Sequence, residues 1–215
     1  MSEVDPFVKA RQTLVEESIL SSGVTDQRVL KAFLTVPRHE FVFPEYRDQA
    51  YADGPLPIGE GQVITQPSLA ARMTQALHLQ GQERVLEIGT GCGYQAAILS
   101  LLAKEIYTIE RLPSLAERAQ AVLSRLRYTN VSVFLGDGTK GLPAYAPFDA
   151  ILVPAGGKRI PQPLFEQLKE GGYVVMPIGS DRTHHELRVG RKVQGKLHLH
   201  NLGAVCFVPL IGEYA

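Results

Sequence analysis

The chain has 215 residues, 45% hydrophobic and 20% charged, a composition that excludes a disordered protein and is enough for one sizeable core. Its 22 Lys plus Arg balance 22 Asp plus Glu, so no overall field draws it to nucleic acid or to an anionic membrane. Two cysteines make no disulfide framework, and no apolar run approaches the roughly eighteen residues that span a bilayer.

The first eleven residues carry Glu3, Asp5 and Pro6 and lack the basic start and apolar run of a secretory signal, so a cytoplasmic protein is expected. Asp5 followed by Pro6 is a good helix start. Phe7, Ala10, Leu14, Val15 and Ile19 then recur at helical spacing as far as Gly23. Val29, Leu30, Phe33 and Leu34 mark a second helix, capped by Thr25 or Asp26 and stopped by Pro37. From Pro37 to Pro67, five prolines and three glycines predict a long irregular segment, ordered by Phe41, Phe43, Tyr46, Tyr51, Leu56 and Ile58. A helix follows over Ser68 to Leu79, with Leu69, Met73, Ala76 and Leu77 as its buried stripe.

Val85, Leu86 and Ile88 then make a short buried-strand run, and Gly89, Gly91 and Gly93 turn the chain into a helix from Tyr94 to Ala103. Glycines there let the backbone take φ > 0 and let a ligand lie against it, and a nucleotide-like cofactor is the first expectation. The spacing is Gly-x-Gly-x-Gly rather than the Gly-x-Gly-x-x-Gly of dinucleotide loops. Ala96 keeps the dinucleotide reading open, and a plain strand-to-helix turn is the bland one. Ile106 to Ile109 is the next strand and ends in Glu110, about twenty residues past the loop, where a carboxylate can accept both hydroxyls of an unphosphorylated ribose. Leu112 to Leu126 is the second crossover helix. Val131 to Leu135 is a third strand, ending in Gly136-Asp137-Gly138, where an adenine could rest with Asp137 accepting from its amino group.

Phe148 to Val153 is a fourth strand, in which Asp149 is expected to make a structural hydrogen bond. A turn-rich stretch from Pro154 to Pro163 leads to a helix over Leu164 to Leu168, and Tyr173 to Met176 is a fifth strand. Glu186 to Lys192 and Leu197 to Leu202 predict a hairpin turning near Gln194-Gly195, with Ala204 to Leu210 as a last strand. Strand alternating with helix predicts an α/β fold, with a ligand at the carboxyl ends of the strands.

No Gly-x-Ser-x-Gly elbow and no His-Glu-x-x-His is present, so hydrolase and zinc-protease readings lack their signatures. His184-His185 and His198-x-His200 could meet across the hairpin, but exposed histidines are the simpler reading and no metal site is expected; His39 and His78 are isolated. Cys92 sits where a helix terminus can lower a thiol pKa, and a small filler is the simpler role. A nicotinamide-dependent oxidoreductase would use Glu110 similarly but should carry a Tyr-x-x-x-Lys or comparable donor, which is lacking.

Val85-Leu86-Glu87-Ile88-Gly89-Thr90-Gly91-Cys92-Gly93-Tyr94 resembles the S-adenosylmethionine loop of class I methyltransferases. Leu56-Pro57-Ile58-Gly59-Glu60-Gly61-Gln62, Ile64-Thr65-Gln66-Pro67 and Phe148-Asp149-Ala150-Ile151 resemble the protein-L-isoaspartate O-methyltransferase family more narrowly. So do Val36-Pro37-Arg38, Leu168-Lys169-Glu170-Gly171-Gly172 and Phe207-Val208-Pro209-Leu210, all in family order. The resemblance implies a Rossmann-like class I methyltransferase fold: a mostly parallel seven-stranded sheet, helices on both faces and a C-terminal antiparallel hairpin. It implies a single domain over 1–215, with N-terminal helices and active-site segment in 1–80, cofactor-binding core in 81–180 and antiparallel strands in 181–215.

By the same resemblance, S-adenosylmethionine is held by Glu87, Gly89, Thr90, Gly91, Gly93, Glu110, Arg111, Gly136, Asp137 and Gly138. Thr65, where the family usually has serine, orients the accepting carboxylate, and Asp53 matches a family acid whose bland role is a turn cap. Val63 and Pro154-Ala155-Gly156 also depart from the family's pattern, which touches substrate preference. The implied reaction methylates the free α-carboxylate of L-isoaspartyl residues in damaged proteins and begins their repair, with S-adenosylhomocysteine as product. Isoaspartyl proteins and peptides are the implied partners, and a monomer is expected. The alternatives are a methyltransferase acting on another carboxylate and a cofactor-binding homologue without activity.

Overall fold

The computed structural model describes residues 6–180 and 184–215. Asp5, the expected cap of the first helix, lies outside them. The helix itself is one rod in three windings: α1 (Val8–Thr13), a wider turn over Leu14–Ile19 and a tight one over Leu20–Ser22. It ends at Gly23, whose φ of +92° suits glycine and whose N–H donates to the Leu20 carbonyl at 3.0 Å. The second helix, α2 (Gln27–Thr35), starts at Asp26, whose carboxylate accepts from the Arg28 N–H at 2.9 Å. Its side chain also pairs with the Arg28 guanidinium, which holds the Asp26 pKa down.

The segment from Pro37 to Pro67 is more regular than its prolines suggest. It contains 3-10 turns over Arg38–Glu40 and Pro44–Gln49 and a small hairpin, β1 (Leu56–Gly59) with β2 (Gln62–Ile64). Pro57 masks the strand pattern, but it sits exposed in an edge strand where no ladder donor is needed. Glu60 and Gly61, both at positive φ, make the two-residue turn that joins the strands. Leu56, Ile58 and Ile64 point into the core. Arg38 fastens the segment from inside: it is fully buried, donates through Nη2 to the Gly54 carbonyl at 3.3 Å and lies 5.0 Å from the Tyr94 ring centroid.

After α3 (Pro67–Gln75) the chain builds its main sheet from β3 (Arg84–Ile88), β4 (Glu105–Glu110), β5 (Val131–Leu135), β6 (Phe148–Leu152), β7 (Leu168–Ile178), β8 (His185–Val193) and β9 (Lys196–Val205). Their order is β5-β4-β3-β6-β7-β8-β9, parallel from β5 through β7 and antiparallel from β7 to β9. This is the seven-stranded, mostly parallel sheet expected of a class I methyltransferase. The sequence runs outward from β3 on one side and then returns to its other side at β6, so the switch point lies between β3 and β6.

Neighbouring residues in the strands serve opposite faces. Val85, Ala150 and Val175 join one core with Leu14, Phe33, Met73, Ile98, Leu115 and Leu123, which come from the N-terminal rod, α2, α3, α4 (Tyr94–Ser100) and α5 (Pro113–Arg125). Leu86, Ile151 and Val174 join a smaller core whose one helix is α6 (Gln162–Gln167), with Leu164 buried. Helices therefore cover both faces, five against one. Asp149 makes the structural bonds expected of it, accepting from the Arg84 N–H at 2.9 Å and from Lys169 Nζ at 2.7 Å.

Three expectations need correction. The fifth strand runs from Leu168 to Ile178, through Gly171-Gly172, which sit in a shift of register against β6; a Cβ on Gly172 would come within 2.7 Å of the Asp149 carbonyl, and glycine lets the strand pass that close. Ala204 to Leu210 is not a separate strand: β9 ends at Val205 and the chain then leaves the sheet, making an isolated bridge from Pro209 to Gly156 and packing Leu210 on the smaller core. Among the histidines, the pairs do not meet, since His200 stands opposite Val189 and His198 opposite Arg191, and His184, His198 and His200 are exposed as expected, leaving one to correct. His185 is buried rather than exposed, packed so closely on Gly156 that a Cβ there would lie 2.1 Å from its Nε2.

Candidate functional site

A cleft opens at the carboxyl ends of the parallel strands, beside the switch point. Its free volume, with the open mouth included, is about 900 Å³. Glu87, Gly89, Thr90 and Gly91 form one wall, and Glu110 and Arg111 stand at the end of β4. Gly138 follows β5, while Thr65 comes from the segment between β2 and α3. Of the twelve expected site residues, these eight are brought together.

The glycine turn is shaped by backbone need. Gly89 and Gly91 take φ of +91° and +56°, which an L side chain adopts at a cost, and nothing stands within 4 Å of where a Cβ on Gly89 would be. Backbone and open space therefore meet there. Gly93, also at φ +90°, faces Leu123 and Ala119 instead of the cleft, so its role is to let α4 pack against α5.

Two carboxylates dominate the electrostatics. Glu110 Oε2 accepts from the Gly91 N–H at 2.9 Å, and Oε1 accepts from the N–H groups of Arg111 and Leu112 at 2.8 and 3.0 Å. The acid thus ties the glycine turn to the end of β4, and Oε2, which accepts one N–H, keeps lone-pair capacity for a ligand hydroxyl. Glu87 is wholly buried, and burial lifts its pKa to about 8; a Thr108 hydroxyl donating to Oε2 at 2.6 Å opposes the rise and Glu110 adds to it. Its other oxygen, Oε1, has no protein partner among the described residues. A buried polar atom left unpaired at the wall of a cleft fits a ligand that brings a donor. Thr108 continues the network to Thr90, Oγ1 to Oγ1 at 2.8 Å.

Four expected residues lie outside the cleft. Gly136 receives its constraint from Ile109, and Gly93 is accounted for above. Asp137 is held within the protein: Oδ1 accepts from the Thr139 N–H and hydroxyl, and Oδ2 from the Glu213 N–H at 2.9 Å. Burial tends to raise its pKa, but these donors and the Lys140 charge outweigh that and hold it down. Asp53 also turns away, accepting from the Ser68 N–H at 2.8 Å and from Gln66 Nε2 at 2.9 Å, which caps the start of α3 and fixes the loop carrying Thr65. Cys92 is buried, and desolvation pushes its thiol pKa up, as a filler would show.

The sequence reading missed the cleft's cover. Val208, Pro209, Leu210 and Ile211 line it from the side opposite the glycine turn. Beyond them Gly212 presses on Asp137, Glu213 pairs with Lys140 at 2.6 Å, and the Tyr214 N–H donates to Thr139 Oγ1 at 3.1 Å. These contacts form a strap anchored on the turn after β5. An apolar run ending in proline gave it the look of a strand. Gly212→Ala would place a Cβ 2.1 Å from Asp137 Oδ1; it is expected to displace the strap and raise the dissociation constant of the cleft's ligand about tenfold, or roughly 1.4 kcal/mol by calorimetry.

Beside the cleft runs a second, wider groove with about 1390 Å³ of free volume. The two share Val63, Thr65, Pro154, Val208 and Pro209. Thr65 therefore stands at the junction, where a hydroxyl can reach a group presented from the groove to one held in the cleft.

The model of the family described as protein-L-isoaspartate(D-aspartate) O-methyltransferase matches residues 9–215. A protein-L-isoaspartate O-methyltransferase of Syntrophobacter fumaroxidans is 51% identical over 208 residues, covering 97% of each chain. One from Methanoculleus marisnigri is 47% identical over 212 residues, covering 99% of this chain and 96% of its own. A solved protein-L-isoaspartate O-methyltransferase superposes with a TM-score of 0.85 at 32% identity, over 95% of this chain and 67% of that one.

Proposed function

This chain belongs to the protein-L-isoaspartate(D-aspartate) O-methyltransferase family, and from that premise we propose how its residues divide the work. The enzyme transfers a methyl group from S-adenosylmethionine to the free α-carboxylate of L-isoaspartyl residues in damaged proteins and peptides. The single observation that carries the assignment of parts is the junction at Thr65, lining both the cofactor-sized cleft and the wider groove.

When bound, S-adenosylmethionine supplies a methyl group on a positively charged sulfur, which departs as a neutral thioether as a carboxylate oxygen takes the methyl. The glycine turn at Gly89 and Gly91 gives the donor a backbone surface to lie on. Glu110 Oε2 accepts a ribose hydroxyl, and the unpaired Oε1 of Glu87 takes a donor from its amino-acid end. Arg111 and Gly138 close the cleft around it. With its oxygens engaged by the strap, Asp137 serves the adenine pocket through the Gly136–Gly138 turn it shapes, and not by a direct bond of its own.

No general base is required. A carboxylate with a pKa near 4 is already ionised at neutral pH, so the protein has to place it and keep water away. Thr65 donates its hydroxyl to the accepting carboxylate, and Asp53, through Gln66 and Ser68, holds the loop that carries Thr65. Such positioning can supply several kcal/mol of the barrier reduction. The strap over Val208 to Ile211 excludes solvent. We further propose that the enzyme works as a monomer in the cytoplasm; one chain provides both cleft and groove, its two cysteines are unpaired, and no helix among the described residues is long and apolar enough to cross a membrane.

The test uses labelled S-adenosylmethionine and paired peptides that differ only in isoaspartate against aspartate. Base-labile label is expected on the isoaspartyl peptide alone; label on neither would remove the assignment. In the same assay Thr65→Ala is expected to lower kcat about ten- to a hundredfold, the worth of one hydrogen bond to a charged group. The cofactor dissociation constant should stay within about twofold, and equal losses in both would contradict the role given to Thr65.

A further inference from the structure

We propose that Arg72 makes this enzyme prefer isoaspartyl sites with a glutamate or aspartate nearby in the chain. The inference rests on the reading above, in which the wider groove receives the peptide. That groove has more free volume than the cofactor cleft, about 1390 against about 900 Å³, which suits a stretch of polypeptide better than a small metabolite. Its walls are largely apolar, with Leu69, Val63, Phe207 and Val208 facing neutral polar groups from Ser68 and Gln66. Arg72 is the one charged residue among the described residues that line it.

Arg72 is half-buried on α3, and its Nη2 donates to the Leu202 carbonyl of β9. That bond ties the guanidinium to β9 at the edge of the groove while leaving most of its five donors uncommitted. No carboxylate pairs with it among the described residues, although the surface carries many ion pairs elsewhere, such as Arg125 with Glu40 and Lys140 with Glu213. The chain as a whole is neutral, so the charge in the groove is a local feature. A half-buried cation bordered by apolar walls attracts an acid more strongly than an exposed one does.

The spacing sets the reach. Arg72 lies five residues along α3 from Pro67, a rise of about 7.5 Å, and Thr65 precedes Pro67 by two more. An extended peptide advances about 3.3 Å per residue. A carboxylate within about four residues of the isoaspartyl can therefore meet Arg72 while the isoaspartyl carboxylate sits at Thr65. Bidentate pairing of guanidinium with carboxylate would add direction to the attraction.

The experiment measures KM and kcat for isoaspartyl peptides, acetylated and amidated so that no terminal charge intrudes, carrying glutamate or glutamine at each of the four positions on either side. At one of them glutamate is expected to lower KM about three- to tenfold relative to glutamine, with kcat little changed. The advantage should shrink with added salt. Arg72→Gln is expected to abolish the ratio and Arg72→Lys to keep most of it, a pattern that loss of the Leu202 bond alone would not produce. The proposal is overturned if no position distinguishes glutamate from glutamine, or if the ratio survives in Arg72→Gln. Methylation of every isoaspartyl peptide at equal KM would sink this inference and leave the enzyme's assignment standing, whereas methylation of none would remove both.

Discussion

Glu110→Ala is expected to weaken S-adenosylmethionine binding by about two to three orders of magnitude. The carboxylate has two duties. It accepts three backbone N–H groups, from Gly91, Arg111 and Leu112, and it offers remaining lone pairs to the ribose. A hydrogen bond to a charged group contributes about 1.5–3 kcal/mol, so losing the ribose bond accounts for about one to two orders of magnitude and the loosened glycine turn for the rest. The backbone donors would also be left without their acceptor at the rim of the cleft, and each costs about 1–3 kcal/mol if water does not replace it. Calorimetric titration and a thermal melt on one sample separate the two duties. Glu110→Gln, which keeps an acceptor oxygen, should fall between; binding within threefold of the parent in Glu110→Ala would remove the ribose role.

Glu87→Gln is expected to flatten the pH dependence of stability between about pH 5 and 8. The Glu87 carboxyl has its ordinary pKa of 4.5 when unfolded and about 8 when folded, chiefly through desolvation. Over that interval the folded state holds a proton that the unfolded state has released. Its stabilising contribution is complete below pH 4.5 and is lost as pH rises through 8. The amount at stake is on the order of a few kcal/mol. Glutamine is neutral and similar in size, so the parent should lose melting temperature from pH 5.5 to 8.5 relative to the variant, whatever their absolute difference. Parallel melting curves across that range would show that Glu87 is ionised inside the fold.

How much of this was legible beforehand depends on where each signal resides. β3, the glycine turn and Glu110 could be read because their residues are contiguous and their chemistry is local. Asp149 could be read for a similar reason, as one acid interrupting an apolar strand. β1 and β2 could not, because Pro57 hides a four-residue strand that needs no donor at its edge. Gly171-Gly172 looked like the end of an element and instead lies inside β7, where only the neighbouring strand reveals the need for a missing side chain. The partners of Asp53 and Asp137 were hidden for one physical reason. A carboxylate's identity shows in the sequence, but the N–H groups that claim it, Ser68 for one and Thr139 and Glu213 for the other, are brought to it by folding. The groove and the strap were invisible for the same cause, since the groove joins residues more than a hundred positions apart and the strap residues about seventy-five apart.

The unequal covering of the sheet also bears on how the chain matures. The N-terminal rod, α2 and α3 carry Leu14, Phe33 and Met73, whose resting place includes Val85, Ala150 and Val175. During synthesis those helices leave the ribosome well before the strands that shelter them, and pairing so far along the chain is intrinsically slow. The nascent protein therefore carries an uncovered oily flank until β7 emerges, and an enzyme of protein repair passes through its own period of vulnerability to aggregation.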